Sequence, residues 1–358
     1  LITNLKKYGL TTVFEQAAAE FKDLIIARVI AQHRTLYQVM TVDGPRSAVV
    51  TGKLAYEAAG QTRFPAVGDW VMVAPTASVS EQMVIHQILP RHSVLARGAA
   101  GNGADGQIIA ANIDTIFICM SLNADFNLRR MERYLTLAWE SSATPVIVLT
   151  KADLCEDVSA KIRDLAEVSV GVSVVVCSAV DQSGYESLLT YIQPTETVAF
   201  VGSSGVGKST LINGLLGQTV LETKEIRQDD DKGRHTTTHR QLLPLANGGV
   251  VIDTPGMREL QIYVGDLSKT FEDIDSLAQQ CKFRDCTHQS EPGCAVKAAI
   301  VDGTLSEERL KSYRKLQAEM SYSGLNDRQL EQEKIKRMFG SKAQMTQKMR
   351  AVKQRKHR

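Results

Sequence analysis

At 358 residues the chain is too long for one ordinary domain, and two or three are expected. A hydrophobic content of 43% suits a globular protein. No apolar run approaches the roughly 20 residues that cross a bilayer and no secretory signal is legible, so neither membrane attachment nor export is expected. The net charge of +2 hides an asymmetry: residues 334–358 hold ten Lys/Arg and no Asp/Glu, which leaves −8 on the rest of the chain. A basic tail on an acidic body suits a polyanionic partner, and a solvated tail without a partner is the alternative.

Residues 1–23 are mixed in character and read as a loosely held N-terminal arm. From 24 to 97 the pattern is one of short strands, at 24–31, 35–41, 46–54, 69–74 and 83–89, with Asp43-Gly44-Pro45 as a turn. Five short strands in about seventy residues predict a small closed β-barrel, of which the oligonucleotide-binding (OB) fold is one common form. Such barrels hold nucleic acid in a groove of basic and aromatic groups, and Arg28, Arg34, Tyr37, Lys53, Arg63 and Trp70 are available. Tyr37 and Trp70 suit a core equally well.

Residues 98–110 begin with four glycines in nine positions and read as a linker. From 111 to 265 strands alternate with helices, the mark of a parallel sheet with crossover helices. Strands are predicted at 115–120, 145–149, 170–176, 198–201, 241–245 and 249–252, and a helix at 127–139. The fourth strand runs into Gly202-Ser203-Ser204-Gly205-Val206-Gly207-Lys208-Ser209-Thr210, and a helix follows. Gly-x4-Gly-Lys-Ser between strand and helix is the phosphate-binding loop. Its glycines let backbone N–H groups converge on phosphate oxygens, helped by the helix N-terminus. In this pattern Lys208 reaches the β- and γ-phosphates and the Ser209 hydroxyl ligates Mg²⁺.

The endings of the other strands identify the base. After the second comes Thr150-Lys151-Ala152-Asp153, and after the third Ser178-Ala179. The Lys151 stem can lie along a purine, while the Asp153 carboxylate can accept from guanine N1–H and the N2 amino group, donors that adenine lacks. A site built to pair such donors discriminates strongly. Ser178-Ala179 would add backbone contact to the base. The last strand ends in Asp253-Thr254-Pro255-Gly256. Asp253 is placed to hold Mg²⁺ through water, and Gly256 N–H to meet the γ-phosphate. In most GTPases the phosphate loop comes first and Lys-x-Asp late; here the order is reversed. Loops on one edge of one sheet survive such a circular permutation.

With these loops, residues 24–320 resemble the circularly permuted GTPases, specifically the bacterial ribosome small-subunit-dependent GTPase A family. The resemblance implies a multidomain protein: an N-terminal OB-fold barrel, a central permuted P-loop GTPase domain, and a C-terminal zinc-binding helical domain at 266–325, before the tail at 326–358. It also implies a GTP hydrolase that binds the small ribosomal subunit and its rRNA, assists late maturation and is stimulated by the subunit. GTP/GDP, Mg²⁺ and one structural Zn²⁺ are the cofactors expected, in a cytoplasmic monomer. Thr150 departs from the usual Asn before Lys-x-Asp, which would loosen the bracing of the loop.

Six cysteines are present. Cys119, Cys155 and Cys177 read as ordinary thiols. Cys281-x4-Cys286-x-His288-x5-Cys294 offers three thiolates and an imidazole, enough for a closed tetrahedral zinc site in a reducing compartment. Beyond it, 295–300 and 304–322 read as helices. Thr304-x-x-Glu307 reads as a capping box, and Leu310, Tyr313, Leu316 and Met320 as a packing stripe.

Where many GTPases carry a water-orienting Gln after Asp-x-x-Gly, this chain has Met257. Unassisted turnover should therefore be slow, on the order of 10⁻⁴ to 10⁻² per second. The stretch 232–239 reads as the switch loop. Thr237 is the candidate to complete the Mg²⁺ shell and His235 to position water, with contact to RNA or solvent an equal reading for the histidine. A competing class is an RNA-assembly scaffold in which nucleotide merely sets conformation. An ATP-dependent RNA enzyme is disfavoured by Asp153.

Overall fold

The computed structural model describes residues 3–33, 35–58, 64–78, 80–98, 106–123, 125–221, 240–254 and 266–321, with the single positions 329 and 332. Helices α1 (Thr3–Lys6) and α2 (Thr12–Ala18) open the chain. Leu5, Leu10 and Phe14 are buried, and the Phe14 ring lies 5.6 Å from that of Trp70. The arm is therefore seated in the core, which differs from the loose segment expected. Three apolar side chains spaced to reach one surface outweigh its mixed composition.

Strands β1 (Ile25–His33), β2 (Leu36–Thr41), β3 (Gly44–Val50), β4 (Trp70–Val73) and β5 (Met83–Ile88) form the N-terminal barrel. Antiparallel pairs join β1–β2, β2–β3, β4–β5 and β1–β4; a parallel pair joins β3–β5, so the sheet closes on itself. The third strand ends at Val50 because α3 (Gly52–Glu57) begins there, capped by the Thr51 side chain accepting from Leu54 N–H at 3.1 Å. Alternation sorts the side chains. Ala27, Val29, Val71 and Val73 face the barrel interior. Ile30, Trp70 and Met72 face a larger core outside it.

That outer core corrects the expected RNA groove. Arg28, Tyr37 and Trp70 are buried. The Arg28 guanidinium donates to Tyr8 O, to Gly68 O at 3.2 Å and to Thr197 Oγ1 at 2.8 Å, so it ties arm, barrel and α/β sheet together. Of the six proposed groove residues only Lys53 is shown exposed. Arg34 and Arg63 lie outside the described residues.

Part of the presumed linker is sheet: β6 (Val94–Gly98) pairs antiparallel with β7 (Gly106–Ala111). The α/β unit follows with β8 (Thr115–Ser121), α4 (Leu128–Glu140), β9 (Thr144–Thr150), α5 (Val158–Ala166), β10 (Ser173–Val176), α6 (Tyr185–Leu189), β11 (Thr197–Gly202), α7 (Lys208–Leu216), β12 (Gln241–Pro244) and β13 (Val250–Asp253). Strand order is β10-β9-β8-β11-β13-β12, parallel except for β12, which meets β1 of the barrel at Gln241–Ala31. Helices cover both faces, which is why the strands read as unbroken apolar runs. Along β8, Ile116, Ile118 and Met120 face the core under α4, while Phe117 and Cys119 face the core under α7.

The C-terminal unit holds α8 (Glu272–Ala278), α9 (Ala295–Val301) and α10 (Glu307–Met320). Ser306 caps α10, its hydroxyl accepting from Arg309 N–H at 3.2 Å. The capping box expected at Thr304 does not form, because that hydroxyl donates instead to Ala299 O at 3.1 Å and closes the preceding turn. Leu310 and Leu316 are buried, with Tyr313 and Met320 packed beside them.

Candidate functional site

Parallel strands bring the C-terminal ends of β8, β9, β10, β11 and β13 to one edge of the sheet, where doubly wound folds carry ligands. The phosphate-loop sequence leaves β11 at Gly202 and enters α7 at Lys208. Gly202 has φ +149° and stands so close to β8 that a Cβ would lie 2.5 Å from Cys119 O. Gly205 and Gly207 also hold positive φ, at +81° and +100°. These conformations turn the chain so that consecutive N–H groups precede the helix.

Lys208 is buried, and its ammonium donates to Gly202 O at 3.0 Å and Ser203 O at 2.9 Å. Burial lowers its pKa from the ordinary value, while Cys119 and Asp253 act in the opposite sense. Asp253 ends β13, also buried, and desolvation pushes its carboxyl up to about 6 against the pull of Lys208. The next residue, Thr254, donates its hydroxyl to Phe200 O at 2.5 Å and locks the end of β13 against β11.

Across the sheet, Thr150 ends β9 and donates its hydroxyl to Val206 O at 2.6 Å. The threonine thus braces the phosphate loop itself, contrary to the loosening expected where Asn is absent. Lys151 adopts left-handed backbone at φ +58°, which swings the following turn (Ala152–Leu154) toward the loop after β10. There Ala152 N–H donates to Cys177 O at 3.2 Å, and Ser178 Oγ donates to Asp153 Oδ1 at 2.8 Å. Ser178 therefore orients the Asp153 carboxylate, leaving acceptor capacity on its other oxygen. Ser203, Ser204, Val206 and Ala179 occupy the same loops at the same edge, and Ser209 and Thr210 lie in the first turn of α7. His235, Thr237, Gly256, Met257 and the basic tail lie outside the described residues.

Helix α4 adds residues that motif reading missed. Arg130 donates to Ser203 Oγ at 3.0 Å and to Asp125 Oδ2 at 2.8 Å. The Tyr134 hydroxyl, one turn on, also bonds the Ser203 side chain. Only the apolar period of this helix was legible in sequence; the i, i+4 pair Arg130/Tyr134 was the available signal.

Cys281, Cys286, His288 and Cys294 bring four ligand atoms within 4.8 Å of one another. Cys281 Sγ lies 3.6 Å from His288 Nδ1 and 3.9 Å from Cys294 Sγ, and Cys294 Sγ lies 3.4 Å from the same nitrogen. Zinc bound at about 2.3 Å to sulfur and about 2.0 Å to nitrogen in a tetrahedron separates its ligands by roughly 3.5–3.8 Å, so the donor set fits the ion. Glu291 shapes the loop, its carboxylate accepting from Gln289 N–H at 2.8 Å and Ser290 N–H at 2.9 Å. Lys282 N–H closes the loop on Gly293 O at 3.1 Å.

A family model described as RsgA GTPase matches residues 88–263. An ABC transporter model matches 185–354, a span that includes the phosphate-binding loop both classes share. The chain is 64% identical over 355 residues, 99% of each chain, to a Lactiplantibacillus plantarum protein named small ribosomal subunit biogenesis GTPase RsgA 2. Among solved structures it resembles YjeQ from Thermotoga maritima, with a TM-score of 0.60, 28% identity, and 83% of this chain and 98% of that one covered. It also resembles YloQ, described as a circularly permuted GTPase, at a TM-score of 0.56 and 25% identity, covering 84% and 96%.

Proposed function

This chain belongs to the RsgA GTPase family, and from that premise we propose that it spends GTP on the small ribosomal subunit during late maturation. It is a GTP hydrolase, as the family is. The observation that carries the reading is convergence: phosphate-loop, Lys-x-Asp, Ser-Ala and Asp-x-x-Gly segments leave four strand ends on one sheet edge in permuted order. The ribosomal partner rests on the name of the relative that matches end to end.

In this reading guanine lies against the Lys151 stem and pairs with Asp153, which Ser178 holds in place. The phosphates lie over residues 202–210, with backbone N–H groups and Lys208 taking up the charge that develops on the transferring phosphoryl group. Mg²⁺, which would neutralise phosphate charge, would be held by Ser209 and by Asp253 through water, with Thr237 completing the shell. His235 would orient the attacking water, a role that Met257 is unable to fill. Zn²⁺ on Cys281, Cys286, His288 and Cys294 would be structural, contributing on the order of 10 kcal/mol to a unit with little core of its own. We read the protein as a cytoplasmic monomer; no described helix is long and apolar enough to cross a membrane.

The test is steady-state GTP turnover with and without purified small subunits. Stimulation of tenfold or more is expected, since Met257 stands where many GTPases carry a water-orienting Gln. Equal rates with tight subunit binding would favour the alternative, a scaffold whose nucleotide only sets conformation.

A further inference from the structure

Helix α4 touches two parts of the molecule that no motif connects. On one side Arg130 and Tyr134 bond the side chain of Ser203, whose carbonyl accepts from the Lys208 ammonium. Two residues along, about 200° around the helix, Glu132 points the opposite way. Its carboxylate is fully buried and accepts from Arg309 at 2.9 Å and from the Ser312 hydroxyl, both on α10. Arg309 also makes a bidentate pair with Asp273 at 2.6 and 2.8 Å, donates to Thr270 O at 2.8 Å and lies 4.7 Å over the Phe271 ring.

We propose that Arg130 is a positioning residue for the phosphate loop, and that docking of the C-terminal helical unit on α4, through Glu132 and Arg309, sets where Arg130 stands. A helix whose far face is clamped by a buried, fully hydrogen-bonded ion pair has little freedom to roll or slide. Arg130 is itself steadied by Asp125. The Ser203 side chain is thus held from α4 while its carbonyl holds Lys208. Release of the C-terminal unit would let α4 shift and loosen that hold. This coupling rests on the reading that residues 202–210 hold the nucleotide phosphates.

The experiment measures GDP affinity with a fluorescent GDP, and KM and kcat for GTP, on the full zinc-loaded chain. The variants are Arg130→Ala, Ser203→Ala, their double, and Arg309→Lys alone and combined with Arg130→Ala. Loss of a charged hydrogen bond at the loop predicts about a tenfold rise in Kd and KM for Arg130→Ala with kcat within about twofold. A merely structural role would lower the active fraction, and so kcat, without moving KM. Because Arg130 acts through Ser203, the double variant should be no weaker than the worse single. Arg309→Lys, which keeps the charge but loses the fork, should weaken GDP about threefold in the parent and not at all beside Arg130→Ala. Multiplying effects at Arg130 and Ser203, or an Arg309→Lys effect undiminished by Arg130→Ala, would overturn the proposal. Lys208→Ala is the control: if it still binds GDP, the phosphate-loop reading fails; if it does not and Arg130→Ala binds as the parent, only this proposal fails.

Discussion

Replacing Arg309 by Met tests the packing argument on which the C-terminal unit depends. The substitution keeps most of the stem volume, so the loss is one of charge and hydrogen bonds. Arg309 and Glu132 have side-chain exposures of 5% and 0%. Removing one partner strands the other in a place without water, which costs about 3–5 kcal/mol. Glu132 keeps Arg129 at 2.5 Å and the Ser312 hydroxyl, which puts the expectation at the lower end, roughly 3 kcal/mol. Asp273 is half-exposed and recovers solvation, adding little. The assay is urea unfolding of the zinc-loaded chain followed by tryptophan fluorescence, since Trp139 on α4 lies 5.2 Å under Lys269 of the C-terminal segment. Arg133→Ala provides the contrast: its pair with Glu319 is more open, with exposures of 20% and 30%, and should be worth about 1 kcal/mol or less. Adding Glu132→Gln to Arg309→Met should recover part of the loss, because a neutral amide tolerates the missing cation. A cost below 1 kcal/mol for Arg309→Met, or strict additivity in the double variant, would refute the buried-pair reasoning.

Three further outcomes follow from the same geometry. Asp153→Asn should bind GTP at least tenfold more weakly and gain affinity for xanthosine triphosphate, whose extra carbonyl meets the new amide donor; unchanged GTP binding would end the base-reading assignment. Chelation of the metal, or Cys286→Ala, should unfold residues 270–320 by hydrogen exchange while the exchange of β8 and β11 stays slow, and protein purified without chelator should contain one zinc per chain by elemental analysis. Burial lifts the Asp253 carboxyl to about 6, above its value in the unfolded chain, so the nucleotide-free protein binds the extra proton in the folded state. Stability at this site is therefore highest below pH 4 and falls as pH rises through 6, by roughly 3 kcal/mol in all, and Asp253→Asn should flatten that slope in denaturant midpoints between pH 4 and 7.

The sequence alone determined the nucleotide chemistry, because each of its elements is local. A strand, a glycine turn, Lys208 and Ser209 stand in consecutive positions, Lys151 and Asp153 are two apart, and short-range geometry carries the chemistry; the zinc cluster is legible for the same reason, with Cys286 and His288 two apart. The alternation of strands and helices also foretold a parallel sheet with crossover helices. What the sequence left open depended on partners far along the chain. Arg28 and Trp70 looked like groove residues until the arm and the α/β sheet were folded over them, and their burial is a property of that contact. Thr150 looked like a defect until its hydroxyl met Val206, 56 positions away. Glu132 and Arg309 lie 177 residues apart, and nothing in either neighbourhood marks the pair. Charge on a helix reads as a solvated face unless another element covers it, and only the tertiary structure decides which faces are covered.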